Sequence, residues 1–218
     1  MKSFAFSIAA AALLSAAPFA SASAHDAHPM MMAAATTASP AKGTALKTAM
    51  EGLWVGHINA VRKVDVAAFA GDAAATKTAE GEVVANAHAI ADAVAGFYGK
   101  PAGEKLFTLL AGHYGAVKAY LDATIAKNAS AQSKATDQLT SNANEIAVFL
   151  SGANPYLSKD TLGEMLLAHG AQHIEQIQEF AAKNSAAEVK TQAVMKAHIL
   201  ALADALAEAI AKQFPTKV

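Results

Sequence analysis

The chain predicts an all-α fold: a six-helix antiparallel bundle made of three tandem helical hairpins. Three observations carry that expectation. Apolar residues recur with a period near 3.6 from Thr44 onward, and nothing alternates as a strand would. Turn-forming residues interrupt the pattern often enough to leave six helical segments. A histidine motif returns at a 56-residue interval, as Leu53-Trp54-Val55-Gly56-His57, Leu109-Leu110-Ala111-Gly112-His113 and Met165-Leu166-Leu167-Ala168-His169.

Taken from the amino end, residues 1–24 read as a secretory signal peptide. Lys2 supplies the positive start, Phe4 to Phe19 the apolar stretch, and Ala22-Ser23-Ala24 a small-residue cleavage site, with an alternative at Ala20-Ser21-Ala22. Cleavage leaves no integral membrane segment and places the protein in the periplasm or outside the cell. The absence of cysteine from the chain removes disulfides and thiolate ligands from consideration there. Residues 25–43 form a flexible leader of methionine, alanine, threonine and proline, with His25 and His28 near its start.

The helical region spans 44–214, with hairpins at about 44–98, 102–153 and 159–213. The helices are expected at roughly 45–70, 73–98, 102–127, 131–153, 159–183 and 186–213. Gly71-Asp72 closes the first helix and caps the second. Gly99-Lys100-Pro101 separates the second from the third, since proline is tolerated in a first turn. Asn128 to Ser130 divides the third from the fourth, and Asn154-Pro155 stops the fourth. Ser158 caps the fifth, and Ser185 with Glu188 has capping-box spacing before the sixth. Pro215 ends the helical pattern.

The even-numbered helices carry Asn86, Asn142 and His198 at the same 56-residue period. Each pairs with one of the motif histidines about a turn: the midpoints fall at Gly71-Asp72, Lys127-Asn128 and Lys183-Asn184. Residues equidistant from a turn in antiparallel helices lie at equal height, so all six belong to one layer about 14 residues, or roughly 20 Å, from the helix ends. The histidines also fall on apolar stripes, such as Leu46, Met50, Leu53, His57, Val61 and Val64. They therefore face inward, where unpaired polar groups are costly.

Two readings of this layer follow. In one, His57, His113, His169 and His198 hold a transition metal such as copper, zinc or iron, because imidazole suits these ions and facing helices often build such sites. Asn86, Asn142, His173 and Asp204 would then be outer or weaker partners. In the other, the chain is a structural or protein-interaction module whose buried His/Asn layer sets helix register. His169 and His173 stand four apart on one helical face, as do His88 and Asp92. These pairs give a weak similarity to hemerythrin-like di-iron bundles, and make a di-iron protein a further alternative. His25, His28 and Met30-Met31-Met32 of the leader form another group suited to copper.

Other chemistry is missing from the sequence. No phosphate-binding glycine loop, His-Glu-x-x-His motif or serine elbow is present, so no catalytic residue is assigned. A formal net charge of -1 gives no electrostatic reason to expect nucleic acid as a partner.

The residues Leu53-Trp54, His57 and Arg62 resemble the Leu-Trp-x-x-His and following Arg of a family of bacterial helical-bundle proteins. Asn86, Ile90, His113, Asn142, Ile146, Asn154-Pro155, His169, Ala203-Asp204 and Gln213-Phe214-Pro215 extend the likeness over nearly all of the helical region. The resemblance implies a helical bundle and brings no activity with it. Ala60 stands where that family has tryptophan, and His88, His173 and His198 lie outside its pattern.

Overall fold

A computed structural model describes residues 40–218. The signal peptide and the leader histidines lie outside the described residues. Six helices follow one another: α1 (Pro40–Phe69), α2 (Ala73–Tyr98), α3 (Lys100–Ile125), α4 (Ala129–Ala153), α5 (Lys159–Ala181) and α6 (Ser185–Gln213). The fold is the expected all-α bundle. No described helix is long and apolar enough to cross a membrane.

Each helix packs on the next, and α6 returns to pack on α1, which closes the ring. Across the middle, α5 also touches α1 and α3. This closure decides the position of the histidines. An open row of hairpins would hold the three motif copies apart, whereas the ring turns them toward one axis.

The turns within the hairpins share one construction. Gly71, Lys127 and Lys183 adopt left-handed backbone with φ of 72°, 54° and 55°. The following Asp72, Asn128 and Asn184 each donate a backbone N–H to a carbonyl five residues earlier, on Ala67, Ala123 and Glu179, at 3.0, 2.8 and 2.9 Å. The same three residues then cap the next helix, their side chains accepting from the N–H of Ala75, Ala131 and Ala187. One residue pair thus satisfies the end of one helix and the start of its partner.

At α6 the cap is Asn184 rather than Ser185, and Ser185 becomes the first helical residue. Glu188 does not reach back as a capping-box acid. Its carboxylate instead accepts from Arg62 Nε at 2.6 Å and Nη2 at 2.8 Å across the bundle. A two-pronged bond to a guanidinium outweighs a single bond to a terminal N–H.

Two apolar clusters fill the interior. One contains Met50, Trp54, Ile58, Ile90, Leu106 and Leu202, and the other Val61, Val64, Val83, Val117, Leu121 and Ile177. His113 and His169 fall between these two groups in the order of the chain, and His57 lies at the same boundary, one residue before Ile58.

Candidate metal centre

His57 comes from α1, His113 from α3, and both His169 and His173 from α5. All four are buried, with 5%, 3%, 1% and 0% of their surface exposed. Ring centroids of His57 lie 5.7 Å from His169 and 5.8 Å from His173. His113 lies 5.8 Å from His169 and stacks parallel to it. His169 and His173 are separated by 4.5 Å, the outcome of an i, i+4 pair on one helical face.

Among the described residues, His57, His169 and His173 are the one group of three with metal-ligand spacing. One ring nitrogen from each lies within 4.8 Å of the others. His173, weighted in the sequence below the 56-residue series, is thus a member of the trio. It escapes the period because nothing matches it in the other hairpins; the signal that marks it is its distance of one helical turn from His169.

Burial keeps these imidazoles neutral. Loss of water holds His57 down to about 3, with repulsion from His113 adding to it. The same loss holds His113 down to about 4, opposed by its bond to Asn142. His169 and His173 are driven well below the usual histidine value, first by burial and then by their neighbouring imidazoles. A neutral imidazole has one ring nitrogen with a free lone pair, the form that ligates metal.

Hydrogen bonds settle which nitrogen that is for two residues. Asn142 donates its amide N–H to the Leu109 carbonyl at 3.0 Å, leaving its oxygen to accept from His113 Nδ1 at 3.2 Å. His113 therefore carries hydrogen on Nδ1 and keeps a lone pair on Nε2, which is buried without a partner. His198 behaves oppositely: its Nε2 donates to the Met165 carbonyl at 2.8 Å, which leaves its lone pair on Nδ1. Its ring stacks at 6.4 Å on His169, outside the trio. His169 and His173 face each other through Nε2 atoms 3.1 Å apart, so one of the two must carry hydrogen unless an ion stands between them.

The even-helix residues share a different task. Asn86, Asn142 and His198 bond the carbonyls of Leu53, Leu109 and Met165, each 33 residues earlier. Each acceptor is the residue four before a motif histidine. A Cβ at Gly56 would stand 3.0 Å from the Asn86 amide nitrogen and one at Gly112 3.1 Å from that of Asn142, so glycine clears the approach. Asn86 does not bond His57 in the way Asn142 bonds His113; its oxygen is buried and unpartnered.

Asp204 lies away from the trio, accepting from Lys47 at 2.7 Å. His88 stacks on Phe107 at 3.8 Å rather than joining the centre. A second polar group adjoins the apolar cluster of Val61, Val64 and Ile177 and is not legible as a unit in the sequence. Gln176, 0% exposed, donates to Glu188 at 2.9 Å and to Gln192 at 2.8 Å. Near Arg62 and Glu188 lies Asp65, 1% exposed, with neither carboxylate oxygen partnered. Burial first, then the Glu188 charge, pushes Asp65 up to about 8 against the pull of Arg62. The sequence clue to Asp65 is a carboxylate next to Val64 on the inward stripe of α1.

Comparison with family models, curated proteins and solved structures yields no match for the chain. The site must be read from its own chemistry.

Proposed function

We propose that this is an exported helical-bundle protein whose function is to hold a transition metal ion at its mid-bundle histidines. The observation that carries the reading is the buried trio of neutral imidazoles from α1 and α5, with His113 presenting a further lone pair from α3. Two nitrogens each about 2.05 Å from a tetrahedral ion stand about 3.3 Å apart. The 3.1 Å between His169 and His173 Nε2 is near that spacing. The wider separations, up to 4.8 Å, mean that an ion draws the remaining ligand inward. Copper, zinc and iron all suit imidazole, and no catalytic role is assigned. The 56-residue recurrence is consistent with three copies of one hairpin, and the leader with a second, weaker copper-binding segment.

The test is elemental analysis of the untagged chain isolated from its exported fraction, beside a His57/His169/His173 triple-alanine variant. Stoichiometric metal in the native chain and none in a folded variant is the expected result. A native chain that takes up neither copper, zinc, nickel nor iron after reconstitution overturns the reading. The register-setting alternative draws on the three carbonyl bonds from Asn86, Asn142 and His198, which need no ion. It predicts that replacing His113 changes stability without altering metal content.

A further inference from the structure

The trio contains no carboxylate, and a cation entering it adds charge to a core lined by neutral groups. The self-energy of a buried ion grows with the square of its charge, so a monovalent ion is the easier guest and copper(I) is the monovalent ion that imidazole suits. Asp65 lies eight residues beyond His57 on α1, about 12 Å along the axis at 1.5 Å per residue. Its carboxyl is 1% exposed and both oxygens lack a partner. Resting on the metal reading above, we propose that copper(I) entering the histidine trio expels the proton of Asp65, so that the core exchanges one proton for one monovalent cation.

The balance is simple. Cu⁺ and Asp65–COOH become bound Cu⁺, Asp65–COO⁻ and one released H⁺, with no change of oxidation state. The neighbours leave Asp65 as the group that yields. Arg62 on the same helix and Glu188 on α6 are charged already and bound to each other. Tyr114 on α3 is held protonated by burial first and by nearby carboxylates next. From α2, Glu80 and Glu82 are paired at the surface with Lys118 and Lys63. On α5, Gln176 carries no charge, and the four buried histidines have no proton to lose near neutral pH.

The size of the effect can be bounded. A unit charge about 12 Å away, at an effective dielectric of about 20, raises a carboxyl's dissociation constant about tenfold. Starting from about 8, that shift releases about half a proton per copper at pH 7.5, and less on either side. A drier core raises the yield toward one.

The experiment titrates the untagged full chain anaerobically with copper(I) supplied as its acetonitrile complex, in weak buffer with a pH indicator. Wild type is compared with Asp65→Asn at pH 5.5, 7.5 and 9.5. The expected difference is about half a proton or more per bound copper at pH 7.5, falling away at both other values. Protons from the leader histidines are common to both proteins and cancel. Equal release by the two proteins overturns the proposal. If the variant fails to fold, the wild-type profile decides. Release centred near pH 7.5 supports the exchange, whereas release that only grows toward acid pH overturns it. A chain that binds zinc, nickel or iron but not copper(I) overturns this inference alone; one that takes up none of the four overturns the metal reading as well.

Discussion

A buried imidazole and a buried carboxyl respond to pH in opposite directions, and this core holds both. Unfolded histidine protonates near 6.5, but His57 and His113 in the fold stay neutral down to about 3 and about 4. Their contribution is therefore present above 6.5 and is lost as pH falls below it, because the unfolded chain takes up protons the fold refuses. His169 and His173 act in the same sense. Asp65 has the reverse sign: its folded value is raised to about 8, so its contribution is present below its unfolded value of 3.8 and is lost as pH rises through 8. Between 3.8 and 6.5, four imidazoles oppose one carboxyl, a net uptake of about three protons on unfolding. The metal-free protein should be most stable near pH 7, where uptake by the four unfolded imidazoles balances release by the one carboxyl, with an acid limb much steeper than the alkaline one. Urea midpoints measured from pH 4.5 to 8.5 check this; a flat profile between 4.5 and 6.5 would mean the histidines are not sealed from water.

At the scale of the elements, the turns and the close helix contacts make their own predictions. Lys127 and Lys183 occupy left-handed backbone that glycine takes at the corresponding Gly71. Lys127→Gly should stabilise the bundle by about 1 kcal/mol, since the strain relieved exceeds the added freedom of the unfolded chain. Gly103 is a contrary case. A Cβ there would lie 2.7 Å from Ala95 Cβ and 2.9 Å from the Ala91 carbonyl. Gly103→Ala should therefore cost about 1–3 kcal/mol by forcing α2 and α3 apart, although alanine is ordinarily the better helix former. Thermal unfolding of the two variants separates the cases, and a stabilised Gly103→Ala would show that this contact yields.

For the whole molecule, the sequence carries the ring's components more fully than its closure. Helix positions follow from apolar period and turn residues, and equal height follows from symmetry about each turn. Whether His57, His113 and His169 meet depends on α6 returning to α1, a long-range event that local periodicity does not encode. Within the site, the period of 56 marks His57 and His169 but passes over His173. It also ranks His198 with the motif histidines, although that ring is tied to a backbone carbonyl. Asp65 passes unmarked and Glu188 reads as a capping-box acid for a related reason: their environment is made by α1, α5 and α6 together. The bundle encloses the trio between two apolar clusters, so a bound ion should leave slowly. Transfer to an excess of chelator should be slow and should quicken as urea is added; release in seconds in the absence of urea would show an open path to the centre.

Five of the six helix-to-helix contacts around the ring are also joined by chain, and the contact between α6 and α1 is not. Side chains alone hold it, among them Lys47 with Asp204 at 2.7 Å and Arg62 with Glu188 at 2.6 Å. The ring therefore has a clasp. Parting it would expose the axis without undoing any hairpin, so on the metal reading it is the expected gate for an ion bound at His57. Moving the chain ends moves the gate: a circular permutant joined from Gln213 to Leu46 and cut at Lys127 should keep the same histidines while loading its ion between α3 and α4.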